Sequence, residues 1–284
     1  MVFTRLSHSY GEYFTCPFYQ SLSMINEKSL SFIKNNFQAQ IQALEQFYPI
    51  IKNALNLGLN PSSIKFGGGT ALSMYYFQHR LSFDIDLFVN DAQCLGFFSP
   101  KLWIDNCSHF DSTRYIDQHN HIGVTNKDNI KIDVLVDYAS NEGYVDNSKK
   151  IFAFDIYIES LENIIAKKIT FRKTDNKTRD IFDIAVALHN DNNLFDKLLS
   201  SQKITKQDLL TLQNSLQELD KKRYSIEIDM VEPISHYKDL SLSAYDFLID
   251  KIDQIKTATY SNSHDNADDL DNSNEYTPTP KRRR

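Results

Sequence analysis

The sequence predicts an α+β fold: a mixed sheet with helices over residues 1–158, then a mostly helical domain over 159–257. Three observations carry that reading. Short stretches that alternate apolar and polar residues recur between residues 64 and 158. Apolar residues three, four or seven apart precede them and take over again after Ser160. From about residue 258 the text turns rich in Asn, Asp and Ser without apolar periodicity, so 258–284 is expected to be a disordered tail.

Each element follows from its own pattern. Leu30, Ile33, Phe37, Ile41, Leu44, Ile51 and Leu55 form one apolar stripe, so 29–57 reads as an N-terminal helix closed by Asn60-Pro61. Ile64 to Phe66 is a short strand running into glycines, Thr70 to Gln78 a helix, and Ser82 to Val89 a second strand. Ala92 to Phe110 reads as a helix. Tyr115 to Tyr138 reads as a hairpin turning at Asn126-Lys127-Asp128-Asn129. A strand is expected over 151–158, and helices from Ser160 on, with a strand-like interruption at Tyr224 to Met230.

Composition bounds the function. The 284 residues are 41% apolar, enough for a real core. A net charge of −6 argues against holding nucleic acid through bulk charge, while leaving room for a local basic groove. Cys16, Cys94 and Cys107 are far apart and form no CxxC pair, so neither a disulfide framework nor a zinc ribbon is indicated. No run approaches the roughly 20 apolar residues of a membrane span. A reducing cytoplasm is the expected location, with no membrane partner.

The chemistry concentrates in GGGTALSMYYFQHRLSFDIDLF, residues 67–88. Strand alternation puts Asp84 and Asp86 on one face and Phe83, Ile85 and Leu87 on the other. Two neighbouring carboxylates repel unless a cation lies between them, and hard oxygen ligands of this kind suit Mg²⁺. The glycines stand at a strand-to-helix junction, where a backbone can approach a ligand and free N–H groups attract phosphate. No Gly-Lys-Ser/Thr follows them, which rules out a P-loop. A lone DxD is more often a solvated face and a lone glycine run a turn; the two joined by a helix are more specific. His119 and His121 alternate on an expected strand without a third metal ligand in view. Tyr75, Tyr76 and Phe77 are expected in the core.

Gly68-Gly69-Thr70-Ala71-Leu72, then Tyr76, Arg80, Ser82, Asp84 and Asp86, resembles the AbiEii-type nucleotidyltransferases, a group that includes the mycobacterial MenT toxins within the DNA polymerase beta-like superfamily. The family pattern of GGTAL, an aromatic, then R-x-S-x-D-x-D-L is matched without a gap. The resemblance covers roughly residues 60–190. It implies a third carboxylate on a neighbouring strand, where Ile132-Asp133-Val134 fits and Asp137 is the second choice. Leu161 to Ile169 with Arg172 resembles the LExILAxKLxAxxxR helix, and Arg179-Asp180-Ile181-Phe182-Asp183 the RDxYDL element, with Phe182 for the usual Tyr. Lys168 and Arg172 share a helical face, while Lys167, about 100° away, is expected to point elsewhere.

The resemblance therefore implies catalytic roles for Asp84, Asp86, Asp133, Lys168 and Asp180. It implies nucleotide binding by Gly68, Gly69, Thr70, Arg80, Ser82, Lys168, Arg172 and Asp183, and Mg²⁺ or Mn²⁺ on Asp84, Asp86 and Asp133. The implied activity is transfer from an NTP to an acceptor, RNA and perhaps a tRNA end, by a toxin with a cognate antitoxin. Two other readings stay open: a phosphatase of the haloacid dehalogenase type, and a non-catalytic interaction protein retaining the fold.

Overall fold

A computed structural model describes residues 26–265 apart from 139–141, 173, 174 and 176. The N-terminal apolar stripe folds as two helices, α1 (Glu27–Asn36) and α2 (Gln38–Asn56), because Phe37 leaves helical geometry at φ −119° and buries its ring. Strand β1 (Ile64–Gly67) runs straight into the short helix α3 (Gly68–Ala71), which widens into a π-helical turn over Leu72–Phe77. Gln78, at φ +47°, ends it. Tyr75 is in the core as expected, its hydroxyl donating to Asp146 at 2.9 Å.

Strand β2 (Ile85–Val89) is shorter than its alternation suggests. Of the one helix expected over 92–110, residues 92–106 form only short 3₁₀ turns, interrupted where Pro100 cannot continue a ladder, and Phe110 already belongs to a strand. The expected hairpin is a three-stranded meander of β3 (Phe110–Gln118), β4 (His121–Asn126) and β5 (Lys131–Val136). The turn at His119-Asn120 lacks glycine and is marked only weakly, by a single Asn. Strand β6 (Gly143–Asp146) was not expected, and the strand placed at 151–158 shrinks to β7 (Ile156–Glu159), while Phe152 and Phe154 bend into the core.

The sheet runs β3-β4-β5-β2-β1-β7-β6, with β2 parallel to β5 and antiparallel to β1. Helices α4 (Leu161–Arg172), α5 (Thr178–Asn190), α6 (Leu194–Ser200) and α7 (Lys206–Gln217) follow. The expected strand-like interruption is helix α8 (Lys221–Met230). Asp220 caps it, accepting from the Lys222 and Arg223 N–H groups, so local capping overrides a short alternation. Helix α9 (Lys238–Asp265) extends past residue 258, where the tail was expected to begin; residues 266–284 lie outside the described ones. No helix among the described residues is long and apolar enough to cross a membrane.

Candidate active site

Strand β2 lies near the middle of the sheet and sorts its side chains by alternation. Ile85, Leu87 and Val89 are buried in the core, whereas Asp86 and Phe88 face the layer that carries α4. Asp86 pairs across the parallel ladder with Asp133 of β5 and across the antiparallel one with Gly67 of β1. Sheet register thus brings together two acids forty-seven residues apart.

A cavity of about 260 Å³ opens between this face and α4–α5. Of the expected site residues, Gly68, Gly69, Arg80, Ser82, Asp84, Asp86, Lys168, Arg172 and Asp180 line it. Gly68 sits at φ +67°, and a Cβ there would collide with Asp86 Oδ2, so the glycine lets the carboxylate lie against the backbone. A Cβ on Gly69 would meet an Arg80 guanidinium nitrogen at 2.5 Å. The glycines seat the charged side chains of the site as well as leaving backbone open to the cavity.

Three expected residues do not line the cavity. Thr70 is fully buried, donating through Oγ1 to the carbonyl of Asp84 and accepting from Ser82 Oγ, and so ties α3 to the segment that presents the acids. Asp183, expected to bind nucleotide, is also fully buried. Its oxygens accept from Arg80 Nε at 2.6 Å and a terminal Arg80 nitrogen at 2.8 Å, with Lys168 Nζ at 2.9 Å and His79 Nε2 at 2.7 Å. Burial alone would push this carboxyl up, but Arg80 and Lys168 outweigh it and hold it well below the usual range. Asp183 therefore fixes cations from beneath and presents no free oxygen to a ligand. Asp133 stands beside Asp86, but His121 Nε2 at 2.6 Å and Lys131 Nζ at 2.8 Å occupy its two oxygens. Asp137, the second choice for that role, pairs with Lys167 at 3.1 Å.

Lys168 bridges Asp180 at 2.6 Å and Asp183 at 2.9 Å. Burial works against its ammonium, yet the two acids keep its pKa raised. Arg172 Nε lies 3.1 Å from the other oxygen of Asp180, which so positions both cations. Lys167 does not point away. Its ammonium lies 3.0 Å from the Phe88 ring centroid and 2.5 Å from Glu159, and it lines the same cavity. Acids on different elements serve the two lysines, Asp137 and Glu159 for Lys167 and Asp180 and Asp183 for Lys168, so neighbouring α4 positions both find partners.

Asp84 and Asp86 stand apart from this pattern. Asp133, Asp137, Glu159, Asp180 and Asp183 all have cationic partners, whereas neither side chain of the DxD pair carries an ion pair or hydrogen bond among the described residues. Burial, then Asp133 and Asp84, push the Asp86 carboxyl up, against the pull of Lys168 and Lys167. Two unpaired hard-oxygen donors beside a third acid are a donor set that fits Mg²⁺. Among the described residues no three acidic, His or Cys side chains converge as a ready-made metal centre.

Residues 55–233 match the family described as nucleotidyl transferase AbiEii toxin of type IV toxin–antitoxin systems. The chain belongs to the AbiEii nucleotidyltransferase family. Over 25 residues this AbiEii chain is 88% identical to the serine/threonine-protein kinase CtkA of Helicobacter pylori (strain J99), a similarity spanning 9% of this chain and 8% of that protein's length. Among solved structures, JHP933 from Helicobacter pylori is similar over 85% of this chain and 97% of its own, at 18% identity and a TM-score of 0.44. MenT4, a nucleotidyltransferase toxin from Mycobacterium tuberculosis, is similar over 68% of this chain and 72% of its own, at 14% identity and a TM-score of 0.37. The AbiEii match alone fixes the family.

Sequence reasoning gave no site role to Lys167, Glu159, His121, Phe171 and Arg179. The first three are recruited by sheet register and helix packing. Phe171 and Arg179 do line the cavity and stand beside the AbiEii elements already quoted, which was the available signal.

Proposed function

We propose that this chain transfers a nucleotidyl group from an NTP to an RNA acceptor, a tRNA 3′ end being one form of it, in a Mg²⁺- or Mn²⁺-dependent reaction in the cytoplasm. The observation that carries this reading is the unpaired Asp84–Asp86 couple facing Arg80, Lys168, Arg172 and Arg179 across one cavity. Asp84 and Asp86 would hold the metal, and Asp133 would join once released by His121 and Lys131. When bound, the ion neutralises phosphate oxygens and polarises the reacting phosphoryl group.

The chain's own residues do the rest. Lys168 and Arg172, oriented by Asp180, neutralise the triphosphate, and Arg80 holds its place over Gly69. The acceptor hydroxyl oxygen forms a bond to the α-phosphorus while the bond to the bridging oxygen of the β-phosphate breaks; pyrophosphate leaves with that electron pair, and the hydroxyl proton is released. Family membership supports a toxin of a toxin–antitoxin pair, and a cognate antitoxin is part of the proposal. So is the division into a catalytic domain over 1–158 and a helical domain over 159–257.

The phosphatase reading loses its main support, because that chemistry places DxD after a strand and here Asp84 precedes β2. Incubation with each labelled NTP, Mg²⁺ and total cellular RNA tests the proposal. Label should enter RNA with wild-type protein and not with Asp84→Ala. Release of phosphate from a generic phosphomonoester without RNA labelling would overturn it.

A further inference from the structure

Among the described residues, five cations line the cavity: Arg80, Lys167, Lys168, Arg172 and Arg179. Four are already engaged within the protein. Arg80 donates to Asp183 through two nitrogens and to the Leu81 carbonyl through the third. Lys167 meets Glu159, Asp137 and the Phe88 ring, and Lys168 bridges Asp180 and Asp183. Arg172 is tethered to Asp180 through Nε. The side chain of Arg179, half-buried near the start of α5, has no ion pair or hydrogen bond among the described residues. It mirrors the unpaired Asp84–Asp86 couple with the opposite sign.

An unpaired guanidinium in a cavity wall is a receptor for an anion. It keeps its charge throughout the physiological pH range and offers donors in a flat fork that matches phosphate. Two phosphate sources are within reach, because Arg179 also lines a second cavity, of about 840 Å³, between α5, α7 and α8. Charge separates them. Asp175, Glu218, Asp220 and Glu227 line the second cavity against three cations, Arg179 included, which disfavours a run of phosphates such as an RNA backbone. The catalytic cavity has five cations against Asp84, Asp86 and Asp180. The anion that Arg179 meets therefore comes from the catalytic side.

We infer that Arg179 is the residue that grips the triphosphate of the incoming NTP, its guanidinium donating directly to phosphate oxygens. Arg80, Lys167 and Lys168, turned toward carboxylates, act on the same group through their field and through the acids they hold. This rests on the nucleotidyl-transfer reading, and it assigns the direct contact to an arginine of α5 and not to the lysines of α4. Arg179 holds nothing else in the fold, so its removal should leave the protein folded and the melting temperature unchanged.

Calorimetric titration with inorganic tripolyphosphate and Mg²⁺ tests the inference, together with steady-state transfer at varied NTP and at varied RNA. Arg179→Ala should weaken tripolyphosphate binding about 10- to 100-fold and raise the KM for NTP by a like factor, with the KM for RNA unchanged. Arg179→Lys, which keeps the charge and loses the fork, should recover part of the loss. Lys177→Ala, the same change of charge two residues away and outside the catalytic cavity, should bind tripolyphosphate as wild type does. Arg179→Ala that binds tripolyphosphate normally, or that raises only the KM for RNA, would overturn the inference. So would an equal loss in Lys177→Ala, which would mark general electrostatics in place of a placed arginine. Wild-type protein that binds tripolyphosphate through Arg179 but labels no RNA would remove the transfer reading and leave the phosphate contact standing; wild-type protein that binds no tripolyphosphate would remove the contact itself.

Discussion

Replacing Asp183 by Asn tests whether this residue is the foundation of the site and not one of its ligands. The substitution keeps shape and volume but deletes the charge. It also turns an amide NH₂ toward Arg80 or Lys168, donor against donor. The carboxylate is fully buried and bonded to Arg80, Lys168 and His79. Removing one partner from a buried ion network costs about 3–5 kcal/mol, since the remaining charges stay desolvated. Against a typical total of about 5–15 kcal/mol that is a large fraction. At roughly 2–4 °C per kcal/mol, the melting temperature should fall by about 6–20 °C. Thermal melts followed by far-UV circular dichroism at neutral pH read this directly, with Asp84→Asn as a control that should move by little. The pH dependence has a definite sign. The Asp183 carboxyl is held below its ordinary value, so its contribution is complete above the unfolded value of about 3.9 and is lost as pH falls through the folded one. The two proteins should therefore converge only in strong acid. A melting temperature for Asp183→Asn within about 2 °C of wild type, well inside the expected fall, would refute the reasoning.

Asp84→Ala and Asp86→Ala should each abolish NTP-dependent transfer, and near-normal transfer in Mg²⁺ by either would remove the metal assignment. Because the Asp86 carboxyl is pushed up, its charge costs stability as pH rises from the unfolded value toward the folded one; Asp86→Asn should flatten that part of a melting-versus-pH profile. Gly68→Ala places a methyl on Asp86 and forces an L side chain to φ +67°, so transfer should be lost with about 1–2 kcal/mol of stability in denaturant melts. Lys168→Ala removes one cation from Asp180 and Asp183, and Lys167→Ala removes one from Glu159 and Asp137, so both variants should melt lower than wild type. An unchanged melt for Lys167→Ala would mean that its ion pairs contribute nothing.

Local pattern sufficed wherever a few neighbouring residues settle the outcome. The face shared by Asp84 and Asp86 follows from the two-residue period of a strand, and Asp133 opposite Ile132 and Val134 follows the same way. The glycine junction is legible because few other residues tolerate its backbone. Elements failed where the deciding contacts are remote or weakly marked: the turn at His119-Asn120, strand β6, and α8 with its Asp220 cap. For the site, the sequence determined which residue types were present and which shared a face. Only the tertiary structure decided which charges are spent on each other. Asp183 and Asp180 hold Lys168 from another helix, His121 and Lys131 occupy Asp133, and Glu159 draws Lys167 inward. A buried charge must find its counter-charge through space, and sequence spacing does not encode which one arrives. Of the site's acids, what remains unpaired after that matching, among the described residues, is Asp84 with Asp86.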